Sequence, residues 1–202
     1  MINLNIDQAI KDNIQSWLDG NYDDNTKATL RELIRAGTEK ELTDAFYQNL
    51  EFGTGGLRGI MGPGSNRVNK YTLGAATQGF SNYLNNLYKG QKVKVAIAHD
   101  SRNNSTIFAN VVADVFSANG IHVYFFESLR PTPELSFTIR ELGCQGGVML
   151  TASHNPKEYN GYKAYGADGG QLVFPHDEAV MAEVAKVKNV ADIRFDRIES
   201  NV

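Results

Sequence analysis

Between residues 93 and 150 short β-branched runs alternate with helix-length segments, and this alternation confines the chain to a layered α/β architecture. Val93-Lys94-Val95-Ala96-Ile97-Ala98 reads as a strand, Ser105 to Asn119 as a helix stopped by Gly120, and Ile121 to Phe126 as the next strand. Pro131-Thr132-Pro133 opens a helix reaching about Leu142, which feeds the apolar run Gly147-Val148-Met149-Leu150. That run is short and ends on the β-branched Thr151, so it reads as a buried strand. On either side, Thr72 is expected to cap a helix running to about Tyr88. Tyr162–Tyr165 and Gln171–Val173 are expected as short strands, and Pro175 as the start of a helix to roughly Lys188.

Residues 1–50 have a different texture. Ile6, Ile10, Ile14, Trp17 and Leu18, then Leu30, Leu33 and Ile34, then Leu42, Phe46 and Leu50 recur at near-helical spacing. The breaks are Asp19-Gly20-Asn21 and Ala36-Gly37-Thr38. The region has carboxylates but no acid/base or metal-ligand constellation, so these helices are read as cover for part of the main domain.

With 202 residues, 42% of them hydrophobic, the chain can build one well-formed core. A net charge of −3 gives no electrostatic reason to expect nucleic acid or an anionic membrane as partner, although a local basic pocket can still hold phosphate. The segment Met1 to Asp7 lacks a basic stretch followed by an apolar one, and no apolar run approaches membrane-spanning length. The expectation is a soluble cytoplasmic protein. The single cysteine, Cys144, excludes an intrachain disulfide and reads as a small core residue.

The chemistry concentrates at Thr151-Ala152-Ser153-His154-Asn155-Pro156, where a buried strand stops and a turn begins. Ligands of α/β sheets sit beyond the carboxyl ends of parallel strands, so Ser153 is placed where a nucleophile belongs. Its hydroxyl needs a proton acceptor and a cation for an incoming phosphate. His154, Lys163, Arg58 and Arg102 are the candidates for those parts. Each also has a structural reading. His154 can bond within its turn, Lys163 can be a solvated strand residue, Arg102 can pair with Asp100, and Thr151 and Asn155 can simply shape the turn.

Two nucleotide-type readings fail on the residues. Gly53-Thr54-Gly55-Gly56-Leu57-Arg58-Gly59 has no terminal Gly-Lys-Ser/Thr, and Arg58 takes the last glycine position of a dinucleotide fingerprint, so ATP or NAD use is unsupported. Ser153 lacks the flanking glycines of a hydrolase nucleophile elbow.

Taken in order, Phe52–Gly59, Asp100-Ser101-Arg102, Thr151–Pro156 and Asn160-Gly161-Tyr162-Lys163 resemble four segments of the phosphoglucomutase/phosphomannomutase (α-D-phosphohexomutase) superfamily. The chain departs from the common form at Ala98-His99, where Gly and a variable residue are frequent before the Asp; this bears on the backbone of that turn. The resemblance implies a three-layer α/β/α domain with a mixed sheet over residues 51–202, the first of four domains, preceded by the helical extension 1–50. It implies that Ser153 carries phosphate between two positions of a sugar through a sugar bisphosphate, which also serves as activator. His154 and Lys163 become candidates for proton transfer, and Arg58, Arg102, Thr151 and Asn155 for binding phosphate or substrate. Mg²⁺ is implied for the full-length enzyme, with the phosphate on Ser153 as one ligand. No Asp-x-Asp-x-Asp-Arg sequence is present, so the other ligands and the remaining mutase domains are expected elsewhere in a longer chain, and the isolated fragment is expected to be inactive. The alternatives are a non-catalytic phosphosugar-binding or docking module, a phosphopentomutase, and a sugar-bisphosphate synthase.

Overall fold

The computed structural model describes residues 4–53 and 55–202. Met1–Asn3, part of the N-terminal segment read above, and Thr54 of the glycine-rich segment lie outside the described residues. The chain runs α1 (Gln8–Asp19), α2 (Asp24–Ala36), α3 (Glu39–Phe46), β1 (Gly56–Ile60), α4 (Lys70–Leu87), β2 (Lys94–His99), α5 (Ser105–Ala118), β3 (His122–Phe125), α6 (Thr132–Glu141), β4 (Gly146–Leu150), β5 (Tyr159–Gly166) and α7 (His176–Val184).

Five strands form one mixed sheet in the order β1-β5-β4-β2-β3. β3, β2 and β4 are parallel, whereas β5 runs antiparallel to both β4 and β1. Every residue of β4 is buried, as expected of a central strand covered on both faces. One face carries Val95, Ile97, Val148, Leu150 and Tyr162 against Phe80 and Leu84 of α4, Phe108 and Phe116 of α5 and Val180 of α7. The other packs Ala96, Ala98, Met149 and Tyr165 against Leu135 and Ile139 of α6. The result is the three-layer α/β/α arrangement.

The glycine pair at the start of β4 admits both helical layers. A Cβ on Gly146 would lie 3.0 Å from Phe80 of α4, and one on Gly147 would lie 2.5 Å from Ile139 of α6. Cys144, beside them, is 2% exposed, and burial pushes its thiol up to about 11 against a smaller opposing pull from Lys94. It is a protonated core residue at neutral pH, as its setting suggested.

The N-terminal helices gather around Ile14, Trp17, Leu30, Leu42 and Phe46 and meet the main body at Tyr71 of α4. Trp17 stacks on Tyr22 with centroids 4.2 Å apart and meets Phe46 edge-on at 5.6 Å. The Tyr71 hydroxyl donates to the Asp23 carboxylate at 2.7 Å and accepts from the Asp23 N–H at 2.6 Å. Burial and then that carboxylate push the phenol up to about 12.

Three local expectations change. α4 is capped by Asn69, whose side chain accepts from the N–H groups of Tyr71 and Thr72; Thr72 instead closes the capping box by accepting from the Asn69 N–H. The glycine-rich segment, not among the expected strands, becomes edge strand β1 from Gly56, because antiparallel β5 offers it a register from Lys163 to Tyr159. The expected strand at 171–173 is a single bridge between Tyr165 and Gln171, since β4 and β1 already flank most of β5 and Pro175 has no N–H to extend a ladder.

Candidate active site

The carboxyl ends of β2 and β4 lie side by side, with His99 in register with Leu150. Each strand runs directly into a polar turn: Asp100 follows β2, and Thr151 to Pro156 follows β4. Thr151 and Ala152 are buried, and Ser153 and His154 are exposed. The apolar run therefore anchors the turn while its tip faces solvent.

Ser153 has φ +55°, in the left-handed region where a residue with a Cβ pays about 1–2 kcal/mol. Both of its backbone groups are held. Its N–H donates to Thr151 Oγ1 at 3.0 Å, and Thr151 Oγ1–H donates to Asp100 Oδ2 at 2.6 Å. Its carbonyl accepts from Arg102 Nη2 at 2.8 Å. Strain of this kind persists where the surroundings over-determine the conformation.

Arg102 occupies an unexpected position. Its Nη2 also donates to the Asn155 carbonyl at 2.6 Å, and its Nη1 donates to the Pro156 and Tyr159 carbonyls at 2.9 and 3.1 Å. Its Nε lies 3.6 Å from Asp100 Oδ2. In this arrangement its N–H groups face carbonyls at or beside the turn or Asp100, and the phosphate-facing role expected of Arg102 would draw on those same donors. The structural reading, pairing with Asp100, holds and extends to four loop carbonyls.

Arg58 retains the accessible position. It sits on β1 opposite Gly161, is exposed, and reaches Asn155 Oδ1 with Nη1 at 3.3 Å. Gly161 is required beneath it. A Cβ there would lie 2.8 Å from the backbone oxygens of both Leu57 and Thr151, and 2.9 Å from Arg58 Cβ. His154 Nδ1 lies 3.4 Å from Ser153 Oγ, at the long limit for a hydrogen bond. Lys163 stands on β5 opposite Met149, half-buried. Among the described residues its ammonium has no hydrogen-bond or ion-pair partner, and no bond joins it to Ser153.

The structure thus brings together Ser153 with His154, Arg58 with Asn155, and Thr151 with Asp100, and sets Lys163 on β5 next to Tyr162, the partner of Leu150 at the end of β4. Asp100, Ser105 and Asn160 join the hydrogen-bond network of this turn, and none of them stands among the candidate residues named from the sequence. Asp100 Oδ1 accepts from the Arg102 N–H and from Ser105 Oγ, and Ser105 Oγ accepts from the buried Asn160 amide at 3.0 Å. Asn160 also donates to the Asn103 carbonyl and accepts from the Gly161 N–H. The Asp-Ser-Arg and Asn-Gly pairings were signals for Asp100 and Asn160; nothing in the sequence marks Ser105, an ordinary residue at a helix start.

No group of three or more His, Cys, Asp or Glu side chains that could hold a metal occurs among the described residues. An Mg²⁺ site needs convergent oxygen ligands in near-octahedral array, and no such cluster of carboxylates is found among the described residues. No helix among the described residues is long and apolar enough to cross a membrane.

An exposed hydroxyl at the carboxyl edge of a mixed sheet, with a neighbouring histidine and an accessible arginine, is the site that this α/β domain presents. Residues 49–191 match the model for phosphoglucomutase/phosphomannomutase, alpha/beta/alpha domain I, and the chain belongs to that family. It is 39% identical to a phosphopentomutase of Pongo abelii over 88% of this chain and 30% of that protein. It is 43% identical to a phosphoglucomutase of Staphylococcus haemolyticus over 71% of this chain and 25% of that protein. Among solved structures, the phosphoglucomutase pp63/parafusin of Paramecium superposes with a TM-score of 0.59 at 26% identity, covering 70% of this chain and 27% of that one. The chain spans about a third or less of the length of these relatives.

Proposed function

We propose that this chain is the phosphoserine-bearing domain of a cytoplasmic phosphosugar mutase, with residues 51–202 as the domain and residues 1–50 as its helical extension. The observation that carries the reading is Ser153 itself, with an exposed hydroxyl on a left-handed backbone whose N–H and carbonyl are both bonded. In the cycle, phosphate on Ser153 passes to the free hydroxyl of a sugar monophosphate. The P–Oγ bond breaks, a P–O bond to the sugar forms, the sugar hydroxyl gives up its proton and Ser153 Oγ regains one. The sugar bisphosphate turns over, and its other phosphate returns to Ser153. His154, at 3.4 Å, is the nearest candidate for moving the proton, and Lys163 is the second. Arg58 suits phosphate oxygens, since a guanidinium fork matches an oxyanion and keeps its charge.

Mg²⁺ in the complete enzyme would draw its side-chain ligands from outside this chain, which contributes at most the phosphate on Ser153. The names of the relatives support both hexose and pentose phosphates as substrate classes. Intact mass with peptide mapping tests the carrier role, using the longest natural in-frame product incubated with Mg²⁺ and a hexose or pentose bisphosphate. One phosphate on Ser153, removed by the matching sugar monophosphate, is the expected result. A folded full-length protein that takes up no phosphate there overturns the mutase reading and leaves a phosphosugar-binding module.

A further inference from the structure

We infer that Asp100 and Arg102 are positioning residues that act together as a clamp, setting the backbone at Ser153 without touching the phosphate that Ser153 carries. The inference rests on the mutase reading for its kinetic consequences, but its geometric core stands on the loop alone.

Residues 151–158 lie between β4 and β5, outside the paired registers of both strands. Four carbonyls at or beside this turn, those of Ser153, Asn155, Pro156 and Tyr159, converge on one guanidinium at 2.6–3.1 Å. The Arg102 side chain is only 13% exposed. Converging carbonyl dipoles are stable around a cation, and a planar fork with fixed N–H directions sorts them into one arrangement. An ammonium has the charge but not the directions.

Asp100 ties this fork to the other side of Ser153. Its Oδ2 accepts from Thr151 Oγ1, which accepts from the Ser153 N–H, and it faces Arg102 Nε. Its Oδ1 accepts from the Arg102 N–H and from Ser105 Oγ. One carboxylate therefore reaches the peptide groups both before and after Ser153. Loss of either member lets φ at Ser153 relax from +55° toward the ordinary negative range, which swings the hydroxyl away from the line of attack. Misplacement by about 1 Å costs a reaction of this kind about 100-fold.

The test compares Arg102→Lys, Arg102→Gln and Asp100→Asn with the parent in the full natural polypeptide that carries this chain, folding being checked by circular dichroism. Two quantities are read: amide exchange at residues 153–159, and kcat and KM for a sugar monophosphate. The clamp predicts that amide exchange at Ser153 rises at least about tenfold in all three variants. It also predicts that kcat falls about 100-fold while KM stays within about threefold. Arg102→Lys decides the case where Arg102→Gln fails to fold, because it keeps the charge and loses the fork. Unchanged exchange at Ser153 in a folded variant overturns the clamp, as does a KM rising in step with a preserved kcat, the mark of a direct phosphate ligand. If the parent takes up no phosphate at all, the mutase reading falls by itself, and the exchange comparison still decides the clamp.

Discussion

The Ser153 turn and the α1–α3 cluster are held by opposite means. Around the turn, one carboxylate, one guanidinium and four carbonyls define the backbone through directional bonds, and the tip stays exposed. In the helical cluster Ile14, Leu30, Leu42 and Phe46 are almost fully buried, and polar ties to the main body, such as Asp23 with Tyr71 and Asp44 with Arg67, lie around that apolar centre. Apolar packing supplies stability that tolerates shape changes, whereas the polar network supplies one geometry. A site that must aim a hydroxyl needs the second kind.

The widest separation between the two regions is expected from Ser153→Gly. Glycine accepts φ +55° freely, so phosphate uptake from a sugar bisphosphate disappears while stability is unchanged or rises by about 1 kcal/mol or less. Intact mass and a urea melt read the two effects, and a large loss of stability would contradict the strained assignment. In the helical cluster the pattern inverts. Phe46→Ala removes a ring 2% exposed beside Trp17 and is expected to destabilise that cluster by about 3–5 kcal/mol with Ser153 still phosphorylated.

Gly161→Ala joins the comparison, because its new methyl would press on the backbone oxygens of Leu57 and Thr151 and on Arg58. A loss of about 1–3 kcal/mol in chemical denaturation is expected, together with weaker phosphate uptake. Wild-type stability after this change would mean that the β1–β5–β4 row is looser than described. The smallest effect belongs to Tyr71→Phe, about 1–2 kcal/mol from the lost bonds to Asp23. A phenol raised from 10.0 to about 12 on folding contributes stability that is present below pH 10 and lost as pH climbs through 12. Melts from pH 7 to 12 should therefore show the parent losing its advantage over Tyr71→Phe at the alkaline end, and a constant gap would refute the coupling.

Helix and strand order between residues 93 and 150 is legible in the chain because each element carries its own period and its own stop, as at Gly120. The Thr151–Pro156 turn is legible for the same reason: an apolar run ends in turn residues. β1 is not, because Leu57-Arg58-Gly59-Ile60 becomes a strand only when β5 provides a register. The role of Arg102 is equally hidden. An arginine near a phosphate motif suits an oxyanion or a set of carbonyls equally well, and only the folded loop presents the carbonyls.

By itself, the sequence determined the local periods, the placement of Ser153 after a buried strand and the set of charged side chains available to it. The tertiary structure decided which of those charges remain accessible, leaving Arg58 at the surface and enclosing Arg102. The physical reason is that a guanidinium is claimed by whichever acceptors converge on it, and that convergence is set by contacts between residues fifty or more positions apart, such as Arg102 with Ser153 and Arg58 with Asn155.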